Sequence, residues 1–480
     1  MTTPLPSRPE TADHRSEPAF TAPVPRPAVA GSAAPGTAAS GGISAAGGPP
    51  GSRRGLLGRY ASLPRLAGPG FIPLGLFARV PLAMLTVGVL TLVTSVSHSY
   101  AIGGLAAGAV GIGSAAGAPV LGFLADKFGQ RHVLLSAAVL NALTLAAVVV
   151  LTYRADGFAS PAVAMVLGAA LLSGATSPQV GPLARVRWMS LSVRLPAGQR
   201  DAAVETALSY ESTADELTFA LGPALVGILA SLVAPWLPLV LAAVMTLLLV
   251  SLFAVHPTEA AVLRHRKAEP GPGAETAEPV SLLRLAVPVL GMVCMGTFFG
   301  GAQTGLIAFT GSFSASELAG LLYAVMGLSS AVAALSVAYW PARFSHPQRW
   351  VTVAALMTVL SPLLLLPASV PAMIAVLLVL GIPVGPAMVT IFSVGGLLAP
   401  RRWLGTIMTA LASGIVAGSA LGSALAGSVA QSSGYAAAFL VSLAAAAGLF
   451  ILGTIAAMMM RGRTVAAGVV KIEPERLNEP

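Results

Sequence analysis

The 480-residue sequence has few charged residues, few aromatic residues and a single cysteine. Charged residues make up 9% of the chain and hydrophobic residues 55%, too few charges to cover the surface of a soluble globular protein. The lone Cys294 excludes an internal disulfide and a cysteine metal cluster, and we expect it to be a packing residue. The net charge of +9 is not gathered into a basic face, so we expect no nucleic-acid partner. The composition predicts a membrane protein.

Sequence patterns of catalysis are also missing. The chain has six histidines and no His-Glu-x-x-His pattern, and His98 is the sole histidine near the centre of a hydrophobic run. It has no G-x-x-x-x-G-K-[ST] segment either, so ATP is not expected to be the direct energy source. We therefore predict that the protein is not an enzyme and uses neither a cofactor nor a metal ion. A membrane-bound enzyme remains a rival of another class.

Hydrophobic segments of about twenty residues, the length that crosses a bilayer, repeat along the chain. Because alternation with a period of two is absent, we expect helices, which satisfy every backbone polar group internally. The sequence predicts an all-α integral membrane protein with twelve spans: 71–95, 99–124, 132–153, 160–183, 207–232, 236–255, 285–309, 316–340, 350–367, 371–397, 404–430 and 435–460.

The polar segments divide these spans into two sets of six. The first seventy residues are rich in Pro, Ala, Gly and Ser and contain no signal-peptide core, which predicts a disordered cytoplasmic tail. Alternatively, translation starts further into the chain. The predicted organisation is tail, six-helix bundle, cytoplasmic central loop, six-helix bundle and cytoplasmic tail: 1–70, 71–255, 256–284, 285–460 and 461–480.

The basic residues predict the orientation. With the N-terminus inside, all of the 27 Lys and Arg residues except Arg154 and Arg79 fall in loops or tails on the cytoplasmic side. Such an excess of positive charge is typical of cytoplasmic loops. This count assigns four arginines to the loop region after the fourth span: Arg185, Arg187, Arg194 and Arg200. Both termini are predicted to be cytoplasmic.

A short polar segment, residues 122–131, separates the second and third spans. Gly122 and Gly129 allow a tight turn, Asp126 brings a carboxylate that a helix N-terminus could attract, and two basic residues, Lys127 and Arg131, hold the segment at the cytoplasmic face. The segment resembles the loop signature of the major facilitator superfamily, G-x-L-a-D-[RK]-x-G-[RQ]-[RK]. Residues 341–349 are similar to a second copy that lacks the carboxylate.

The resemblance implies a fold and a mode of action. It implies twelve helices in two pseudo-symmetric six-helix bundles, which rock about a central site so that the solute gains access from alternate sides. It also implies that the segment with Asp126 acts in gating, with its carboxylate facing the other half. A working transporter is therefore favoured over a transport-inactive sensor or scaffold on the same fold.

Charged residues within the spans are few, and such residues are costly unless they are paired or hydrated. Arg79 lies in the first span, whereas Glu211, Asp215 and Glu216 lie in the first half of the fifth, at a similar depth. One interpretation is that Asp215 or Glu216 exchanges a proton during transport, with Arg79 setting its affinity. The alternative is a static ion pair that orients the two helices, with Glu211 solvated.

The fifth span continues through Gly222, Pro223 and Gly227. The proline is predicted to kink the helix, and the glycines to allow close packing against a neighbour. The segment is partly similar to g-x-x-x-G-P-x-x-G-G in proton-coupled exporters of the family, with Thr218 and Val226 at two of the glycine positions. Small residues with proline are also ordinary in membrane helices.

Uncharged polar residues in the spans are candidates for a solute cavity: Gln303, Thr304, Asn141 and Gln179. Gln303 is the first choice, since the resemblance implies that the seventh helix lines the cavity. The alternative for each is a hydrogen bond that ties two helices together. No charge lies well inside a span of the second half, which favours a lipophilic or weakly polar solute.

The function predicted is secondary active transport of a small organic solute by alternating access, most simply proton-driven efflux of a drug-like molecule or metabolite. Proton-coupled uptake is the alternative. The expected partners are the solute, protons and the lipid bilayer, and the protein is expected to be a monomer. Abundant Ala and Gly indicate a high-GC bacterial source and hence a plasma membrane.

Overall fold

The computed structural model describes residues 58–155, 158, 160–262, 282–313, 318–341 and 343–469. Helices and short connections make up these residues, and no strand occurs among them. Most of the predicted N-terminal tail, most of the predicted central loop and the end of the predicted C-terminal tail lie outside the described residues.

The first half of the chain forms six spanning helices. Two of them are interrupted: α1 by two residues before Val80 and α4 by four residues before Val180. Their bounds are α1, Phe71–Phe77 and Val80–Ser97; α2, Tyr100–Phe128; α3, Gln130–Tyr153; α4, Ser160–Ala175 and Val180–Ser192; α5, Ala197–Leu232; and α6, Leu237–Val255, which includes a π-helical turn at Thr246–Val250.

The second half also forms six. Four of them are α7, Leu282–Gly311; α8, Leu318–Ser336; α9, His346–Leu360 with a 3-10 turn at Ser361–Leu365; and α10, Val370–Leu398. The last helical stretch, Leu404–Val469, is broken at Gly434, where φ is 79° and ψ is 179°. It gives α11, 404–433, and α12, 435–469.

The break at Gly434 decides the number of spans. Among the described residues, 11 helical stretches are long and apolar enough to cross a membrane, and the last of them covers 60 residues. A helix of that length would extend about 90 Å, three times the apolar thickness of a bilayer. Two crossings separated by Gly434 fit instead, so the prediction of twelve helices is confirmed.

The two halves repeat the same contacts between helices. A Cβ at Gly222 of α5 would lie 2.6 Å from the Cβ of Ala83 on α1, and a Cβ at Gly422 of α11 would lie 2.8 Å from the Cα of Thr297 on α7. Both glycines therefore let a helix pair approach closely. Such equivalent contacts are expected for two bundles related by pseudo-symmetry.

Gly129 is the turn between α2 and α3, and its φ of 93° is a conformation that favours glycine. Gly122 is not part of this turn. It lies inside α2, where a Cβ would be 2.8 Å from the carbonyl oxygen of Gly405 on α11. We call the end of the bundle that carries Gly129 the motif end, and the opposite end the far end.

Two arginines assigned by sequence to a loop are instead buried in a helix. Arg185 and Arg187 lie in the second segment of α4 and are 0% exposed. The Nε of Arg187 donates to Oε1 of Gln130 at 2.9 Å, and its Nη1 donates to the carbonyl oxygen of Phe253 at 2.7 Å. The predicted end of this span is too early because hydropathy treats a buried arginine as unfavourable. It takes no account of hydrogen-bond partners that lie far away in the sequence and make the buried charges tolerable.

The predicted boundary of the N-terminal tail at residue 70 is also too late. Residues 58–62 form a 3-10 turn and Leu63–Ala67 a short helix. Leu63 is 1% exposed, and it belongs to the same apolar core as Phe71 and Trp188. Burial of this leucine anchors the segment before α1.

Candidate functional site

Four charged side chains meet inside the first half, near the middle of α5. Arg79, at the interruption in α1, forms an ion pair with Oε2 of Glu211. Its Nη1 donates to Oδ1 of Asp215 at 3.0 Å and to the carbonyl oxygen of Glu211 at 3.1 Å. Arg185 of α4 completes the set, with Nη2 donating to Oδ2 of Asp215 at 2.7 Å. We call these four residues the charge cluster.

The charge cluster is buried and has no net charge. The side chains of Arg185, Glu211 and Arg79 are 0%, 1% and 4% exposed, whereas that of Asp215 is 16% exposed. The indole Nε1 of Trp188 donates to Oε1 of Glu211 at 2.6 Å. Two arginines against two carboxylates allow burial, because breaking any one of the pairs would leave an uncompensated charge.

Sequence reasoning expected Arg79 to be able to pair with acids of α5, but it missed Arg185 and Trp188. A signal was present. Arg185, Trp188 and Leu191 follow at intervals of three residues, which places them near one helical face, and no proline interrupts the helix after Pro182. Glu211, predicted to be solvated in the alternative interpretation, is instead buried between Arg79 and Trp188.

Glu216 follows Asp215 in the sequence but faces the other half of the protein. Its Oε1 accepts a hydrogen bond from Oγ of Ser330 on α8 at 2.9 Å. A Cβ at Gly327 would lie 3.7 Å from its Oε2, so this glycine of α8 lies close to the carboxylate. Within the described part of the chain Glu216 has no ion-pair partner. It is therefore a carboxylate on the boundary between the halves that no cation in the described ranges neutralises.

The halves are joined at the motif end by Asp126. Its Oδ1 accepts from the backbone N–H of Gly405 at 2.9 Å, and its Oδ2 accepts from the N–H and Oγ1 of Thr406, each at 2.7 Å. These donors lie at the start of α11, where free N–H groups and the helix dipole favour an anion. The carboxylate of Asp126 thus lies at a helix N-terminus, as the sequence indicated.

A second connection joins α5 to α9, and here too the first half supplies the carboxylate. Nη1 of Arg349, at the start of α9, donates to Oε1 of Glu205 on α5 at 2.6 Å, and Nε2 of His346 lies 3.5 Å from the same oxygen. Arg349 is held in place because its Nε also donates to the carbonyl oxygen of Phe344 at 2.6 Å. The segment that resembles a second motif therefore contributes a cation where the first contributes an anion. Sequence analysis did not single out Glu205.

Further contacts between the halves also lie towards the motif end. The guanidinium of Arg185 lies 3.9 Å above the ring centre of Phe392 on α10, and Oγ1 of Thr213 donates to the carbonyl oxygen of Ala331 at 3.1 Å. A small apolar core there unites α5, α8 and α10. Among the described residues, the hydrogen bonds and ion pairs that cross between the halves all lie in this part of the bundle. The motif end is thus closed.

The four uncharged cavity candidates fall into two groups. Asn141 is buried, and its Nδ2 donates to the carbonyl oxygen of Ser173 at 2.7 Å, which ties α3 to α4. Gln179 is buried at the interruption of α4, where its Nε2 donates to the carbonyl oxygen of Ser177 at 2.9 Å. Asn141 thus makes the helix-tying contact of the alternative interpretation, whereas the bond of Gln179 is local to α4.

Gln303 and Thr304 of α7 are accessible, Gln303 being exposed and Thr304 half-buried. Gly301 and Gly305 of the same helix lie against Ser442 and Phe439 of α12. Residues two positions apart on a helix point about 200° apart, so Gln303 faces away from α12. Its role as a solute contact stays a prediction.

The glycines of α5 have different surroundings. A Cβ at Gly222 would lie 2.7 Å from the backbone carbon of Ala83, whereas nothing lies within 4 Å of a Cβ at Gly227. The close packing predicted for both residues is found only at Gly222. The helix continues without interruption through Pro223.

We expect Gly222→Ala to destabilise the protein and Gly227→Ala to leave it nearly unchanged. The added methyl at residue 222 must push α5 away from the α1 backbone, and overpacking of this kind costs about 1–3 kcal/mol. Thermal unfolding of the two purified variants measures the difference, and residue 227 is the matched control. Equal midpoints for the two variants would contradict the packing role of Gly222.

Comparison with known proteins agrees with this architecture. The model of the Major Facilitator Superfamily matches residues 71–414, whereas no curated protein matches significantly. Similar solved structures include the human organic anion transporter MFSD10 (TETRAN), with 20% identity, a TM-score of 0.62 and coverage of 81% of this chain and 99% of that one.

A bacterial homologue of the iron transporter ferroportin in an outward-facing state is also similar, with 14% identity, a TM-score of 0.61 and coverage of 81% and 98%. The E. coli fucose:proton symporter FucP has 16% identity, a TM-score of 0.52 and coverage of 80% and 98%. At these identities the structures support the fold, and the family match spans most of the chain. The chain therefore belongs to the Major Facilitator Superfamily and is a membrane transporter, not an enzyme.

Proposed function

We propose that the protein is a proton-coupled secondary transporter of a small organic solute, in which Glu216 carries the coupling proton. The observation that carries the proposal is the position of this carboxylate. It lies on the boundary between the halves, it accepts a hydrogen bond from Ser330 of the opposite half, and no cation among the described residues neutralises it.

The surroundings of the neighbouring acid support the choice of Glu216 over Asp215. Asp215 is bonded to Arg79 and Arg185, and it can accept a proton only if these ion pairs weaken. Glu216 can gain a proton without breaking an ion pair. Because rocking of the halves changes the contact between α5 and α8, it also changes the environment of Glu216 and so couples protonation to access.

We propose export as the direction, since the Gly222-Pro223 segment of α5 is partly similar to that of proton-coupled exporters. Uptake remains the alternative. We further propose a monomer in the plasma membrane with both termini cytoplasmic. Exposed basic residues at the motif end support this orientation, because such residues mark cytoplasmic loops: Lys127, Arg131, Arg194, Arg200, Arg401 and Arg402.

The proposal is tested by following solutes across the membrane. Cells that express the unmutated protein, the Glu216→Gln variant or neither are exposed to a mixture of drugs, and solutes inside and outside are compared. We expect a solute to move outward only with the unmutated protein, and its movement to stop when an uncoupler removes the proton gradient. Inward movement would support uptake. Movement of the solute that continues unchanged after the uncoupler has removed the proton gradient would contradict proton coupling.

A further inference from the structure

The charge cluster contains more hydrogen-bond donors than its carboxylates use. Among the described residues, three buried guanidinium nitrogens of this cluster find no hydrogen-bond partner: Nε of Arg79, and Nε and Nη1 of Arg185. Both side chains are at least nine-tenths buried. An unpaired donor of a charged group in a dry environment is costly, which points to an acceptor that completes the set.

Two of these donors converge on one small space. Gly181 of α4 has no side chain, and a Cβ built there would lie 3.5 Å from Nη1 of Arg185 and 3.6 Å from Nε of Arg79. The same point lies 3.2 Å from Oδ1 of Asp215. Even a methyl group at this point would press against Oδ1 of Asp215, so the space beside the two guanidinium groups becomes available to another acceptor only when that carboxylate moves away.

We propose that Arg79 and Arg185 bind an anionic group, such as a carboxylate, of the transported solute, in competition with Asp215. This inference rests on the proposed solute transport and adds the substrate class. A guanidinium presents planar, charge-assisted donors that suit the oxygens of a carboxylate. Asp215 is the most exposed member of the cluster, so it is the partner that an entering anion can replace.

The location of Arg185 connects this site with the transport cycle. Its guanidinium is covered by the ring of Phe392, which belongs to the other half. Separation of the halves at the motif end removes this ring and opens the arginine to that side of the membrane. The expectation of a weakly polar solute came from the absence of charge inside the spans of the second half, whereas Arg185 belongs to the first half.

Competition between the anion and Asp215 makes two variants behave in opposite ways. Asp215→Asn frees both arginines and adds one positive charge, so it is expected to tighten binding of sodium benzoate several-fold. Arg185→Gln is expected to weaken it by roughly tenfold or more, the loss of one or two charge-assisted hydrogen bonds. A purely structural role predicts that both variants lose binding together.

Binding is measured as the shift of the unfolding temperature of the purified full-length protein with benzoate, with the neutral isostere benzamide, and with chloride at equal ionic strength. We expect a saturable shift with benzoate alone. Gly181→Ala, which fills the space and keeps every charge, is expected to reduce it, whereas Gly168→Ala, where nothing lies within 4 Å, leaves it unchanged.

If Arg185→Gln does not fold, the double variant Arg185→Gln with Asp215→Asn keeps the cluster neutral and is expected to fold without binding benzoate. Equal shifts with benzamide or with chloride, or no shift with benzoate, would overturn the proposal. Weaker binding in Asp215→Asn would overturn it as well. None of these results affects proton coupling, which is judged by the uncoupler and Glu216→Gln, so the two proposals can fail separately.

Discussion

Replacing Glu216 with Gln is expected to lower gradient-driven transport by roughly 100-fold, the upper range of coupling between two sites. The amide keeps the size of the side chain and a hydrogen bond to Ser330, but it cannot take up and release a proton. Proteoliposomes with an imposed pH gradient measure the loss. Exchange of labelled for unlabelled solute without a gradient should persist, since the halves can still rock.

The matched control for this variant is Asp201→Asn. Asp201 is an exposed acid on the same helix, and its replacement removes an equal charge while the hydrogen bond between Glu216 and Ser330 stays in place. We expect transport to be unchanged. Full gradient-driven transport by Glu216→Gln would contradict the assignment and make Asp215 the next candidate.

Breaking the contacts that join the two halves at the motif end is expected to shift the protein towards a conformation that is open at that end. Asp126→Asn loses the charge that three donors of α11 share, and one or two charge-assisted hydrogen bonds correspond to about 1.5–3 kcal/mol. The ratio of open to closed molecules should therefore rise by roughly tenfold or more. Glu205→Gln should act in the same direction, because it weakens the bond to Arg349.

Spin labels can report this shift directly. The chain has one cysteine, the half-buried Cys294, so Cys294→Ala gives a background for labels at Arg131 and Arg402, which are exposed on opposite halves of the motif end. We expect a longer distance between the labels in Asp126→Asn. Lys127→Gln alters the charge of the same segment without breaking a tie and should keep the short distance.

An exchange of charges tests whether the ion pair between Glu205 and Arg349, and not a general loss of stability, controls the closure of the motif end. Exchanging the charges, Glu205→Arg with Arg349→Glu, should restore part of the short label distance that either change alone removes. Restoration will be partial, because Arg349 also donates to the backbone carbonyl of Phe344. A double variant as open as the single ones would show that this pair does not hold the motif end closed.

Several features followed from sequence alone because they depend on local rules. The length of apolar segments predicts spanning helices, since the bilayer sets that length. The spacing within residues 122–131 predicted that Asp126 could meet a helix N-terminus, although not that the donors belong to Gly405 and Thr406. The pairing of Arg79 with acids of α5 could be predicted because both helices were expected to enter the membrane from the same side, which places these residues at a similar depth.

Other features depend on partners that are distant in the sequence. Arg185 and Arg187 read as loop residues, and only the folded bundle supplies the acceptors and rings that make their burial tolerable. Likewise, Gly222 and Gly227 look alike in sequence, but only Gly222 meets the backbone of another helix.

Apolar length and a contiguous ten-residue segment are properties of neighbouring residues, so they were enough to predict the class of protein, twelve spans and the family. Only the folded arrangement of the described residues shows which charges share a cluster, which carboxylate among them lacks a cation and where the halves touch. Burial in a membrane makes an ion pair or an unpaired donor energetically decisive, and such pairs form between residues that only folding brings together. The candidate proton site and the candidate anion site are therefore properties of the fold.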